Sequence, residues 1–245
     1  MIRSFLAAMQ FLTAVPVRAR LDARDFERSP LWFPLVGLLL GGTAALADAQ
    51  MARLGFSGLL RSVLTVGLQA ALGGGLHLDG LADTADGFLS ARPRERVMEI
   101  MRDSHIGTMG VLALIFVLAL KTAALAGLGG AARWKTLLLA PLAGRCLQII
   151  VMGLLPYARK EGGRADIFLG RNRNKLAAWA LVWLLIAIRA LLGFRNGAVM
   201  LASIAIVAVL LSLWSLRRIG GFTGDTLGAA SELIEATVLV AACAG

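Results

Sequence analysis

Seven stretches of the sequence, 31–50, 55–76, 108–129, 134–155, 176–194, 197–216 and 227–245, are apolar over about the 20 residues an α-helix needs to cross a hydrocarbon core of about 30 Å. Backbone polar groups in lipid are satisfied only within helices or closed barrels. The pattern therefore predicts an all-α fold: a polytopic transmembrane helical bundle with about seven spans. Composition agrees, because 58% of the 245 residues are hydrophobic and only 16% are charged, with a mean hydropathy of +0.76. A soluble domain carries about a quarter charged residues. The start, MIRSFLAAMQFLTAVPVRAR, has a shorter apolar stretch and no small-residue cleavage site, which predicts a short N-terminal interfacial helix. Residues 1–245 are read as one membrane domain, whose first and last spans are candidates for re-entrant segments because they carry Gly or a buried charge.

The net charge is +10. In a membrane protein an excess of this kind anchors loops on the cytoplasmic side, so no nucleic-acid partner is expected. With seven spans, Arg18, Arg20, Arg24, Arg28, Arg92, Arg94, Arg96, Arg102, Arg159, Lys160, Arg164, Arg171, Arg173, Lys175, Arg217 and Arg218 fall on one side. Only Arg53, Arg61, Arg133, Lys135, Arg189 and Arg195 fall on the other. The richer side is expected to be the cytoplasm. The two cysteines, Cys146 and Cys243, sit in apolar runs and read as packing.

Seven of the 15 acidic residues lie in short Gly-rich stretches at that same side. In GGGLHLDGLADTADGF, residues 73–88, Asp79, Asp83 and Asp86 recur at i, i+4 and i+7, one face of a helix. Carboxylates stacked in this way repel one another unless a cation or free water lies among them. Oxygen ligands suit Mg²⁺, which bridges a few carboxylates to substrate phosphates. Gly74 and Gly80 would let a substrate approach the backbone. A second stretch, RDSHIGTMG at 102–110, adds Asp103 and His105, and a third, GGFTGDTLGAASELIEA at 220–236, adds Gly224, Asp225, Glu232 and Glu235. The only two histidines, His77 and His105, both fall in these stretches. Each group also has a plainer reading. Asp103 could pair with Arg102, Asp225 could be a helix cap, and Glu232 and Glu235 could neutralise Lys121 and Arg145 inside the bundle. The basic loop 157–175, with Gly162, Gly163 and Gly170, either meets phosphates or anchors topology against anionic lipid heads. Arg92 and Arg102 stand closer to the acidic stretch as candidate phosphate contacts.

The segments FLTAVPV at 11–17, FPLVGLLLGG at 33–42, GGGLHLDGLADTADGFLSARPRERVMEIMRDSHIGTMG at 73–110 and GGFTGDTLGAASELIE at 220–235 resemble the adenosylcobinamide-GDP ribazoletransferase family, also called cobalamin 5′-phosphate synthase. The resemblance implies a Mg²⁺-dependent enzyme of the inner membrane with its active site facing the cytoplasm. Such an enzyme joins α-ribazole, or its 5′-phosphate, to adenosylcobinamide-GDP and releases GMP, the last assembly step of vitamin B12. On this reading Asp79, Asp83, Asp86 and Asp103 form the metal shell, and His77 or His105 takes the attacking hydroxyl's proton. Asp225 closes the site, and Arg92 and Arg102 grip phosphate. The partners expected are the two substrates and membrane lipid, with a homo-oligomer left open.

DTADG at 83–87 also resembles the opening of the CDP-alcohol phosphotransferase motif, but the later Gly-x₃-Asp-x₃-Asp part is absent. A transporter using Glu232, Glu235, Lys121 and Arg145 as an ion path is a rival from another class; it predicts an internal repeat, and none is visible. A structural subunit would need no clustered aspartates.

Overall fold

A computed structural model describes residues 1–159, 166–168 and 172–244. Lys160, Gly162, Gly163, Arg164, Gly170 and Arg171 of the basic loop lie outside the described residues. The helices are α1 (Ile2–Leu12), α2 (Ala23–Glu27), α3 (Phe33–Arg53), α4 (Gly58–Leu72), α5 (Leu76–Phe88), α6 (Arg94–Ile100), α7 (Thr108–Gly127), α8 (Gly130–Leu154), α9 (Arg173–Leu192), α10 (Arg195–Ile219) and α11 (Gly224–Cys243), with 3₁₀ turns at Ser29–Trp32 and Asp166–Phe168. Among the described residues, extended pairing is confined to one bridge between Tyr157 and Phe222.

Six of these segments are long and apolar enough to cross a membrane, and α4 with α5 makes a seventh if taken as one broken span. The chain is a multi-pass membrane protein. The outermost expected spans are unbroken, so they are not the irregular ones. The second expected span, 55–76, is instead a 15-residue helix that ends at Leu72, and the chain turns by 91° into α5. The cause is the glycine run. Gly74 and Gly75 take φ of 60° and 69°, a left-handed conformation that costs glycine nothing and any other residue a good deal.

α8 is the central post. Its apolar window is 83% buried, against 17% for α10 and 22% for α9, which present most of their surface outward. α8 packs on α3, α9 and α11, and α11 in turn packs on α5, α7 and α10. The starts of α3, α5 and α11, the end of α8 and the 101–106 segment before α7 converge on one cavity. The bridge from Tyr157 to Phe222 brings the α10–α11 corner to the same end. α1 is too short to span; it buries Ala7, Ala8 and Leu12, and Trp32 at the foot of α3 donates to Ser4 Oγ at 3.1 Å.

The charges buried within the bundle are paired. Lys121 Nζ donates to Glu232 Oε2 at 2.6 Å and to Glu235 Oε2 at 2.8 Å. Arg145 bonds to Glu235 and, at 2.9 Å, to Ser231 Oγ. The two glutamates thus balance the two cations, although Arg145 Nε is buried without a hydrogen-bond partner among the described residues. A second cluster joins Asp48 to Arg133 through bonds of 2.6 and 2.9 Å and to Arg61 at 3.2 Å.

Candidate active site

α5 and α11 cross backbone against backbone. A Cβ on Gly80 would stand 2.7 Å from the carbonyl oxygen of Asp225, and one on Gly228 would stand 3.2 Å from the Cα of His77. Small residues at a crossing let helices approach this closely. The crossing sets the acidic stretches 79–83 and 224–225 side by side at the mouth of a cavity of about 450 Å³. His77, Asp79, Asp83, Arg102, Asp103, Gln148, Arg159, Gly224 and Asp225 all line it.

Thr223 caps α11 in a reciprocal box with Thr226, which puts Asp225 in the first turn, where the helix dipole favours an anion. Thr223 Oγ1 donates to Asp225 Oδ2 at 3.3 Å and Arg159 Nη2 donates to the same oxygen at 2.7 Å. Arg159 Nε is buried with no hydrogen-bond partner among the described residues. Asp83 lies within the like-charged field of Asp79, Asp225 and Asp86, offset by Arg159. At the floor His77 is 5% exposed, and its Nε2 stands 2.9 Å from Gln148 Nε2. Gln148 Oε1 is buried without a hydrogen-bond partner among the described residues.

Other expected site residues are placed elsewhere. Asp86 turns toward α7. Its Oδ2 accepts from Gly107 N at 2.7 Å and its Oδ1 from Gly110 N at 2.8 Å. It therefore caps that helix, and it does not line the cavity. Asp103 reaches the rim, but its Oδ1 accepts from His105 N at 3.0 Å and meets the ring Nδ1 at 2.7 Å. The backbone N–H of His105, and then its ring, hold the Asp103 carboxyl below the usual carboxylate range. The His105 side chain is 90% exposed and is not part of the cavity lining. Arg92 is also exposed and outside it, offering its carbonyl to Arg218. Gly74 serves the bend, next to Ala14, and Gly80 serves the crossing. Two cavity residues are not singled out by the sequence: Arg159 is one of six cations in a loop that either meets phosphates or anchors topology, and Gln148 is a single polar residue inside an apolar run.

No three His, Cys, Asp or Glu side chains among the described residues are close enough to chelate a metal by themselves. Asp79, Asp83 and Asp225 line one cavity without closing on a single point, and their donors are all oxygen. That is the incomplete set a hard cation takes when substrate phosphate and water finish its shell.

Fold and cavity together define a polytopic membrane protein with an acidic, arginine-edged pocket at one end of its bundle. Residues 4–243 match the model of the family described as cobalamin-5-phosphate synthase, and the chain belongs to that family. Proteins called adenosylcobinamide-GDP ribazoletransferase are similar over nearly their whole length. The one from Citrobacter koseri is 40% identical over 98% of this chain and 99% of its own. Those from Klebsiella pneumoniae subsp. pneumoniae and Clostridium botulinum are 41% and 36% identical over 98% of this chain and 99% and 96% of their own. No solved structure matches the chain.

Proposed function

We propose that the chain is an adenosylcobinamide-GDP ribazoletransferase, with the cavity at the α5–α11 crossing as its active site. The observation that carries the assignment is the meeting of Asp79, Asp83, Asp225 and Arg159 in one cavity, in a chain whose similar proteins bear that name. A hydroxyl of α-ribazole, or of its 5′-phosphate, attacks the phosphorus attached to cobinamide. The bond to the bridging oxygen of the pyrophosphate breaks, and GMP leaves with that oxygen. The hydroxyl proton passes to His77, which lines the floor and is oriented by Gln148. Arg159 and Arg102 hold the pyrophosphate anion, and the unpartnered Arg159 Nε–H is the donor kept for it. Asp79, Asp83 and Asp225 would hold Mg²⁺, which when bound neutralises the pyrophosphate and the charge developing on the leaving GMP. A cation held there would also offset the repulsion among these carboxylates.

The arginine-rich end of the bundle faces the cytoplasm in this reading, and the membrane is the inner one. The test is GMP release by the purified protein from adenosylcobinamide-GDP and α-ribazole, with Mg²⁺ and with a chelator. Release that needs Mg²⁺ and falls with Asp83→Asn supports the assignment; no release from the folded protein with either ribazole substrate removes it.

A further inference from the structure

The face of α5 opposite the acidic cavity is apolar and looks into a groove of about 210 Å³. Ala85 and Phe88 of α5 and Ala230 of α11 form part of its floor, with Phe116 of α7 and Trp214 of α10 along its sides. α7 and α10 both pack on α11 but make no extended contact with each other. The outer side of the groove is therefore open, with Phe116 67% and Trp214 38% exposed. In a membrane bundle such an opening faces hydrocarbon.

Two polar features narrow the occupant. Thr84 Oγ1 lines the groove, is buried, and has no hydrogen-bond partner among the described residues; a hydroxyl left that way in apolar surroundings is costly. At the head of the groove, one turn beyond Trp214 on α10, Arg218 donates to the carbonyls of Gly87 at 3.4 Å and Arg92 at 3.3 Å. Its Nε is buried with no hydrogen-bond partner among the described residues, and the preceding residue, Arg217, is exposed. Thr84 lies about one helical turn below Gly87 on α5, as an ester carbonyl lies below the phosphate of a phospholipid.

We propose that this groove binds an anionic glycerophospholipid. One acyl chain lies between α7 and α10, an ester carbonyl accepts from Thr84, and the phosphate meets Arg218 and Arg217. The site lies on the opposite face of α5 from Asp79 and Asp83, and the proposal stands whatever reaction the acidic cavity performs.

Native mass spectrometry of the full chain, released from micelles holding equal phosphatidylglycerol and phosphatidylcholine, tests it. Wild type retains one phosphatidylglycerol in preference to phosphatidylcholine, by roughly fivefold or more for each arginine engaged. Arg217→Gln with Arg218→Gln abolishes the preference, and Ala208→Phe, which fills the groove from the outward-facing α10, abolishes retention. Equal retention of both lipids by wild type overturns the proposal. So does preference unchanged in the arginine variant, which also decides the matter if the phenylalanine variant does not fold. A dimer that forms through this face and is lost with Ala208→Phe would make a second copy the occupant and overturn it as well.

Discussion

Gly80 of α5 lies against the carbonyl oxygen of Asp225 of α11, so closely that a Cβ there would stand 2.7 Å away. This contact brings together two acidic stretches separated by more than half the sequence, and what it holds in register is the cavity.

Gly80→Ala is therefore expected to spread the crossing and lower GMP release by on the order of 100-fold, because an error near 1 Å in the placement of reacting groups costs that much. Circular dichroism of the purified variant should still read a helical protein. Wild-type turnover in this variant would mean that the close approach does not set the site.

Two aspartates one turn apart should behave oppositely. Asp83 lines the cavity, and Asp83→Asn should lose roughly 100-fold or more in kcat, the scale of removing one stabilising group at a developing charge. Asp86 caps α7, so Asp86→Asn should cost about 1 kcal/mol of stability, with turnover largely retained at a permissive temperature. Thermal unfolding in detergent and GMP release, measured on both variants, give the comparison.

The two histidines separate in the same way. His77→Gln should lower kcat by roughly 100-fold or more and flatten the low-pH limb of the residual kcat profile, while the exposed His105→Gln should stay within about twofold of wild type. Asp103 contributes nothing to that profile near neutrality. Its carboxyl is depressed by the His105 N–H, so its contact with His105 is present above the usual carboxylate range and lost only as pH falls through the lowered value. Asp103→Asn should leave the neutral part of the profile unchanged in shape.

The buried charges between α7 and α11 are a stability feature. Lys121→Met leaves Glu232 and Glu235 with Arg145 as their one remaining cation, and it should destabilise by about 3–5 kcal/mol. Adding Glu232→Gln should recover much of that loss. Chemical unfolding of the single and double variants, read as a cycle, measures the recovery; no recovery would place the cost in packing instead.

The spans and the acidic end of the bundle are legible in the sequence because lipid admits so few alternatives: long apolar helices, with charges at their ends or paired. Periodicity falls short where a single tertiary contact decides. Asp79, Asp83 and Asp86 share one helical face by spacing, yet the amides of Gly107 and Gly110 claim Asp86 for another helix. The glycines at 73–75 read as room for a substrate, while the backbone uses two of them to turn the chain by 91°. Gln148 and Asp48 each give a signal that goes unread, a lone polar residue inside an apolar run. Only the fold reveals their partners, His77 for one and Arg133 with Arg61 for the other.

The most direct measurement is the Mg²⁺ dependence of GMP release by purified wild type, Asp79→Asn, Asp83→Asn and Asp225→Asn, with folding of each checked by thermal unfolding. The account predicts no release by wild type without Mg²⁺, and losses of roughly 100-fold or more in every variant that saturating Mg²⁺ does not restore. Folded variants that turn over like wild type at saturating Mg²⁺ would contradict it.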